Sequence, residues 1–388
     1  MITKINLKMK GEKSMDSSKE NFLLIFHKPL DQIDGQTKYL KELIEIVSND
    51  YNIIIPSEYF FSNYKWRYSN WLIRTSLVNI YIIIWIFKFR KDLKAHFSIC
   101  MMEDRYCLIP ALMATKFSKM KFLSRVSDWG IMYTRSLSRS GKISNFIILT
   151  IDLFYKNLVL RASCAVIVPS DYVYHLLEVE FKGKIFMFPH PYSQSLTNIH
   201  DGINESDFID SSHDIYCVLI GNFNYAPNEN SAYFIINDLA PKVKLKDRSI
   251  KFLLIGVGSK EKFSRFNTDN LLALGVIQNL SEIYKNCQIG INPSQTYGGT
   301  SIKNIEYLTN GLLVVSTREA SEGVIKSSNM FIGERKEFLN MIISIAADIR
   351  DDKIKLSEME VERIKKYYSK SEIKQKTLDF FKTLTHIN

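Results

Sequence analysis

The chain has 388 residues, 46% of them apolar, including 24 Phe and 20 Tyr. This composition is sufficient for the cores of two or more domains and excludes a disordered or fibrous protein. The net charge of +10 indicates an anionic partner: nucleic acid, an acidic membrane or a phosphorylated substrate. Five scattered cysteines without a CxxC pair predict ordinary buried thiols in a reducing compartment and argue against a structural zinc site.

Neither a secretory signal nor a membrane span is expected. The first 21 residues are polar and Lys-rich, which predicts a flexible segment. The longest apolar run, at 77–87, is shorter than the ~18–20 residues of a spanning helix.

The first half alternates buried-strand patterns with helical patterns. Helical spacing occurs at 37–47 and 110–117, and apolar strand runs occur at 22–26, 51–55, 98–102, 121–126, 164–170 and 185–188. This alternation predicts a parallel sheet with helices on both faces.

The second half repeats the alternation after a polar stretch. Helices are expected at 230–239, where Pro241 should end the helix, at 280–287 and in the charged tail 357–381. Strands are expected at 215–221, 251–258, 271–275, 288–291 and 312–316. The predicted domains are a flexible segment 1–20, a Rossmann-like domain 21–195, a linker 196–214, a second Rossmann-like domain 215–370 and a C-terminal helix 371–388 packing back on the first domain.

The segment 292–306 has the pattern of an anion-binding helix start. A small-residue turn follows a predicted strand and opens a helix, whose first N–H groups are unpaired and lie at the positive end of the helix dipole. Lys303 adds a full charge, and Glu306 lies on the same helix face, where a carboxylate suits ribose hydroxyls. The pattern predicts a nucleoside diphosphate site; a solvated Lys–Glu pair is the alternative.

Glycines follow several predicted strands of the second half, at Gly221, Gly256, Gly258, Gly275 and 298–299. Glycine permits unusual backbone angles and close approach to a ligand, so these positions favour a ligand-lined sheet edge. The GVG run at 256–258 lacks the third glycine of GxGxxG, and no GxxxxGK[ST] is present.

The second half resembles the donor domain of a GT-B glycosyltransferase, close to the GT4 type. Three blocks carry the resemblance: GNFNYAPN at 221–228, similar to G-x-x-x-Y-x-P-N; LLIGVG and GVI at 253–258 and 275–277; and the run 293–317, with its G-x-P-V-V-S-T-like end. The resemblance implies an α/β GT-B fold, with two Rossmann-like domains facing a central cleft.

The resemblance also implies donor-binding residues. They are Gly221, Asn222, Gly258, Ile277, Gly299, Thr300, Ser301, Ile302, Lys303 and Glu306. Retaining GT4 enzymes carry Glu-x7-Glu, whereas Gly298 occupies the first position here and Leu312 replaces the usual Pro. These departures put a retaining mechanism in doubt.

In the first half, FLSRVSDWG at 122–130 resembles the Y-R-x-S-D segment of bacterial exopolysaccharide glucuronosyltransferases. That resemblance implies that Asp128 is the general base and that Glu103 has a counterpart in the family; a helix-capping Asp128 is the alternative. His27, His190 and Tyr297 are further candidates.

Residues 60–95 hold seven basic residues against one acid, with three interleaved Trp. The pattern favours a face lying on anionic lipid; a core helix with solvated Lys and Arg is the alternative. Arg135, Arg139 and Lys142 are candidate contacts to acceptor phosphate.

Together these features predict a glycosyltransferase that moves a sugar from a nucleotide donor, UDP-linked, to a lipid-linked or glycan acceptor in cell-surface polysaccharide synthesis, with inversion. It would lie peripherally on the cytoplasmic face of the plasma membrane, with no cofactor, no metal and no nucleic acid partner. A GT-B nucleotide-sugar epimerase and a basic nucleic-acid-binding protein are the alternatives; the second predicts binding with a steep salt dependence.

Overall fold

The computed structural model describes most of both halves of the chain. The described residues are 18–30, 35–63, 71–103, 107–117, 120–126, 150, 154, 158, 160–181, 184–191, 214–277, 279–296, 300–354 and 357–386.

Two six-stranded sheets organise the described residues. The strands are β1 (Glu20–Ile25), β2 (Tyr51–Ile54), β3 (Phe97–Met102), β4 (Lys121–Arg125), β5 (Ala165–Val168), β6 (Ile185–Met187), β7 (Ile215–Ile220), β8 (Ile250–Ile255), β9 (Leu271–Gly275), β10 (Ile289–Asn292), β11 (Leu313–Ser316) and β12 (Met330–Ile332). Every strand predicted from the sequence is therefore present within a few residues of its expected bounds, and β12 is additional.

Helices alternate with these strands. They are α1 (Gly35–Val47), α2 (Pro56–Asn63), α3 (Trp71–Lys88), α4 (Arg90–His96), α5 (Leu108–Phe117), α6 (Asp171–Phe181), α7 (Ala226–Phe234), α8 (Ala240–Lys246), α9 (Ser259–Phe263), α10 (Leu280–Asn286), α11 (Ile302–Thr309), α12 (Arg318–Ser321), α13 (Phe338–Arg350), α14 (Glu358–Tyr367) and α15 (Lys370–His386).

The first sheet has the order β2-β1-β3-β4-β5-β6. Its pairs β1–β2, β1–β3, β3–β4 and β5–β6 are all parallel. The residues of the central strands β3, β4 and β5 are mostly buried, as expected for a parallel sheet covered on both faces.

The second sheet has the order β12-β11-β10-β7-β8-β9 and is parallel in every pair. Alternate residues of β7 feed two separate cores: Cys217 and Leu219 pack in a cluster with Phe338 of α13, whereas Val218 packs in another with Tyr307 of α11. Helices therefore cover both faces, and the predicted GT-B class, with two parallel α/β sheets, is confirmed.

One predicted helix boundary is wrong. The helix expected at 230–239 begins at Ala226, passes through a π-helical turn at Ile235–Leu239 and continues as α8 to Lys246. Pro241 lies in the first turn of α8, directly after the π turn. The wider hydrogen-bond spacing of the π turn accommodates a residue without an N–H group, so proline does not end the helix here.

The chain divides into two compact units: Met1–Arg125 with Ala162–Cys164 and Phe381–Asn388, and Val126–Arg161 with Ala165–Phe380. Within the first unit, the ring of Phe381 lies 5.5 Å from that of Phe22, and Lys121 Nζ donates to Leu384 O at 2.5 Å. The domain boundaries expected from the sequence stay predictions, and the expected linker 196–214 lies, apart from residue 214, outside the described residues.

The thiols depart from expectation at one position. Cys100, Cys107, Cys217 and Cys287 are buried thiols, but Cys164 is exposed because it precedes β5 rather than lying within it.

Candidate functional site

The sequence-predicted anion site lies where the strand order of the second sheet reverses. β7 and β10 are neighbours in the sheet although two strands separate them along the chain. In open parallel sheets, ligands bind beyond the carboxyl ends of the strands at such a switch point. The loop after β10 leads into α11, and the loop after β7 leads into α7.

The start of α11 is fixed by a buried amide. Asn304 is fully buried; its Nδ2 donates to Ser316 Oγ at 3.1 Å and to Ala320 O at 2.9 Å, and its Oδ1 accepts from Asn292 Nδ2 at 2.9 Å. Ser301 caps the helix by accepting from Asn304 N at 3.4 Å. This network ties the helix start to the ends of β10 and β11.

Lys303 lies in the first turn of α11. Its Nζ donates to Asn228 Oδ1 at 2.7 Å. Burial lowers the pKa of Lys303 to about 8, against an opposing effect of the nearby Glu306 carboxylate. The side chain is therefore a cation at neutral pH, held by a neutral partner next to helix N–H groups.

Glu306 follows one turn later and is partly buried. Tyr284 OH donates to its Oε2 at 3.4 Å. Lys303 and Glu306 thus share one helix face, as their spacing predicts, and the site combines one cation with one carboxylate.

The loop after β7 forms the facing wall of the site. Gly221 N donates to Ile255 O at 3.0 Å, and Asn222 Oδ1 accepts from Asn224 N at 2.9 Å. Gly256 has φ +129°, and a Cβ there would lie 2.1 Å from Gly221 O. Only glycine permits this approach of two backbones at the sheet edge.

The remaining donor-binding candidates occupy different environments. Gly258 caps α9, and Ile302 is partly buried. Ile277 is 3% exposed within the core, so only its backbone is available to a ligand. Thr300 is buried, and its Oγ1 donates to Pro169 O at 3.4 Å within the same compact unit.

Several predicted residues lie outside the described part of the chain. They are Asp128, Arg135, Arg139, Lys142, Tyr297, Gly298 and Gly299. Their roles stay predictions from the sequence.

Glu103, in the first unit, is part of a buried ion pair. Glu103 and Arg125 follow or end neighbouring strands β3 and β4, are essentially inaccessible and are hydrogen-bonded to each other. The Tyr39 ring lies 3.4 Å from the Arg125 guanidinium carbon. Burial alone would lower the pKa of Arg125, but Glu103 raises it above the usual value. Glu103 is therefore a buried partner of Arg125, and its role toward a ligand stays a prediction.

The two histidine candidates are not equivalent. His27 follows β1 and is 3% exposed, whereas His190 follows β6 and is partly buried. A residue as buried as His27 offers little surface to a substrate.

Three residues of these networks were missed as site residues. Asn228 closes the GNFNYAPN motif, Arg125 lies inside the FLSRVSDWG motif, and Asn304 stands between Lys303 and Glu306. Their positions within motifs were the available signal, but their partners are distant in sequence.

A polar cavity of about 400 Å³ lies in the second unit. Its lining is Gln295, Thr317, Glu319, Glu334, Arg335 and Lys336. Arg335 Nε donates to Pro293 O and its Nη2 donates to Asn230 Oδ1, both at 2.7 Å.

The described residues contain neither a metal-binding cluster nor a membrane-spanning helix. No cluster of three or more His, Cys, Asp or Glu there is arranged to hold a metal ion. None of the described helices combines the length and apolarity needed to cross a membrane.

Part of the second half is similar to a known protein family. Residues 214–348 match the family model described as Glycosyl transferases group 1. No curated protein sequence matches the chain significantly.

Three solved structures illustrate the similarity in fold. Sucrose-phosphate synthase from Thermosynechococcus elongatus is 14% identical, with a TM-score of 0.70 over 95% of this chain and 100% of that one. Anabaena HepE, solved with UDP and glucose, is 10% identical, with a TM-score of 0.64 over 94% and 100%. A Rickettsia africae glycosyltransferase is 15% identical, with a TM-score of 0.64 over 95% and 100%. At these identities the likeness shows the fold alone.

Proposed function

We propose that this GT-B glycosyltransferase, whose second unit matches the glycosyltransferase group 1 family, moves a sugar from a UDP-linked donor to a lipid-linked or glycan acceptor in cell-surface polysaccharide synthesis. The observation that carries the proposal is Lys303, a cation at a helix start on the switch-point edge of the second sheet, held by an uncharged amide. UDP is the favoured nucleotide because HepE, a fold neighbour, was solved with it.

Sugar transfer breaks the bond between the anomeric carbon and the diphosphate, so negative charge grows on the leaving oxygen. Lys303 and the first N–H groups of α11 would stabilise that charge. Glu306 would accept hydrogen bonds from the ribose hydroxyls. No metal is required in this scheme, since the ammonium and helix start can supply the positive charge.

Calorimetry with UDP, GDP, ADP and UDP-sugars tests the donor assignment. UDP should bind most tightly. Glu306→Gln should weaken the binding of UDP much more than the binding of 2′,3′-dideoxy-UDP, which lacks the ribose hydroxyls. Failure of every nucleotide to bind wild type would overturn the proposed function.

We infer inversion with Asp128 as general base. Gly298 stands where retaining relatives carry a carboxylate, so the second unit lacks that group in sequence. An inverting reaction needs one base to take the acceptor hydroxyl proton as it attacks the anomeric carbon. Asp128→Asn should abolish transfer and leave UDP affinity unchanged; sustained turnover would remove Asp128 from this role.

We also infer that α3 contacts the cytoplasmic face of the plasma membrane. Ile73, Ile80, Ile84 and Phe87 are 41–61% exposed, and their spacing places them on one helix face. Exposed lysines and arginines follow at the end of α3 and along α4, namely Lys88, Arg90, Lys91 and Lys94. An apolar stripe beside cations suits an anionic bilayer.

The tryptophan part of this expectation is wrong for Trp85. Trp85 is only 6% exposed and packs on the buried side of α3. The exposed isoleucines, rather than this indole, would meet the lipid. The side chains of Trp66 and Trp71 lie outside the described ones.

Vesicle co-sedimentation tests the membrane surface. Wild type should bind phosphatidylcholine vesicles only when phosphatidylserine is included, and the pair Ile80→Ser with Ile84→Ser should reduce binding. Val179→Ser, an 87% exposed apolar residue in the second unit, serves as the control. Equal binding by the α3 variant and wild type would contradict the assignment.

A further inference from the structure

We propose that Asn228 is a positioning residue that holds the Lys303 ammonium ready for the donor diphosphate without neutralising it. The inference rests on the proposed donor site and adds a residue to it. Asn228 lies near the start of α7, 75 positions before Lys303 in sequence, and its Oδ1 accepts from Lys303 Nζ at 2.7 Å.

The orientation of the Asn228 amide is determined by its two partners. An ammonium group can only donate, so the oxygen must face Lys303. Nδ2 donates at 3.0 Å to Asn222 O, which can only accept. A flipped amide would lose both hydrogen bonds, and the side chain is therefore held in one orientation.

The surrounding loop is built to fit this amide. A Cβ at Gly221 would lie 2.9 Å from Asn228 Nδ2, so the absence of a side chain at Gly221 makes room for it. Phe223 N donates to Val257 O at 2.8 Å, and Lys262 Nζ donates to Phe223 O at 2.9 Å. These contacts fix the loop that carries Asn228 to the end of β8 and to α9.

The neutrality of Asn228 matters for the chemistry. A carboxylate at the same place would pair with Lys303, and a diphosphate would have to displace it. An amide oxygen occupies one of the three ammonium N–H donors and leaves the full charge in place. The arrangement orients the cation while keeping it available to an anion.

Asn228→Asp provides the main test, since it keeps the shape and adds the charge. UDP should bind about tenfold more weakly at pH 7, because an internal carboxylate competes with the diphosphate. The loss should appear in KM for the donor, with kcat little changed. Asn228→Ala removes the hydrogen-bond acceptor of Lys303 and should weaken UDP binding by about three- to tenfold.

The pKa of Lys303 supplies a readout that needs no nucleotide. NMR titration of labelled lysines should give a higher Lys303 pKa in Asn228→Asp than in wild type, and the loss of UDP affinity at high pH should shift upward with it. A structural defect would lower thermal stability without this shift.

Asn230→Asp is the matched control. It lies on the same helix, and its Oδ1 also accepts from a cation, Arg335, at 2.7 Å. It should leave UDP affinity and the Lys303 pKa unchanged. If Asn228→Asp leaves the Lys303 pKa and its pH profile at wild-type values, the positioning role is overturned. If wild type binds no nucleotide while Asn228→Asp shifts the Lys303 pKa, the proposed donor site is wrong but the Asn228–Lys303 contact is supported.

Discussion

Two charged groups lie at the carboxyl ends of parallel strands in the two units, and they are handled in opposite ways. In the first unit, Arg125 is fully buried, bonded to Glu103 and covered by the Tyr39 ring. In the second, Lys303 is partly buried and held by the neutral Asn228. The Arg125 charge is paired with a carboxylate of the protein, whereas the Lys303 charge is held by a neutral amide and remains available to a ligand.

The difference indicates how to tell a buried charge that stabilises the fold from one that binds a ligand. In a buried ion pair, each charge offsets part of the desolvation cost of the other. Lys303 is hydrogen-bonded to an amide, and the nearby Glu306 carboxylate only partly offsets its desolvation, so the pKa of Lys303 is lowered. The first arrangement should therefore matter for stability and the second for binding.

The largest expected effect is on stability, through the Glu103–Arg125 pair. Glu103→Ala should destabilise the protein by about 3–5 kcal/mol, because it leaves the Arg125 charge buried without its partner. Urea unfolding followed by tryptophan fluorescence measures this, since all four Trp precede residue 130. The double variant Glu103→Leu, Arg125→Met should recover much of the loss, and exposed Glu45→Ala should change stability by less than about 0.5 kcal/mol.

Removing the other cation should give the reverse pattern. Lys303→Met should weaken UDP binding by about 1.5–3 kcal/mol, roughly ten- to a hundredfold, through lost charge-assisted hydrogen bonds. Stability should not fall, since burial disfavours the lysine charge. Calorimetry and thermal unfolding together check this, with exposed Lys285→Met as control. A destabilised Lys303→Met with normal UDP affinity would erase the contrast between the units.

The pH dependence should separate the two cations next. Lys303 is charged below its pKa of about 8, so UDP affinity should drop about tenfold between pH 7 and pH 9. Ligand-free stability should instead rise as pH increases from about 8 toward the unfolded lysine pKa, because the unfolded state binds the extra proton there. Both trends should vanish in Lys303→Met. Arg125, whose pKa is raised by the neighbouring Glu103, should stay charged throughout this range.

The smallest effect is expected at Tyr39. Tyr39→Phe keeps the ring over the Arg125 guanidinium and removes only the hydroxyl, so the loss should be about 1 kcal/mol. Urea unfolding of this variant beside Glu103→Ala measures how much of the pair's compensation is ionic. A loss as large as that of Glu103→Ala would show that the hydroxyl, rather than the carboxylate, is the main partner.

Much of the fold could be predicted from local patterns. Apolar runs separated by helical spacing give the strands of both sheets, and the turn before Lys303 predicts the start of α11. The exposed stripe on α3 was harder to predict, because its buried face, with Val78, Ile82 and Ile86, has the same apolar chemistry. Periodicity identifies helix faces but does not show which face a neighbouring element covers.

The sequence by itself determined the strand–helix order and the Lys303–Glu306 helix, because these depend on residues a few positions apart. Tertiary structure alone decided that Asn228 meets Lys303 and that Arg125 meets Glu103, 75 and 22 positions apart. Strand order and register bring such residues together, and neither is encoded in the spacing of the partners along the chain. Whether a buried charge is paired with an opposite charge or held by a neutral group is therefore decided by the packing at the sheet edge.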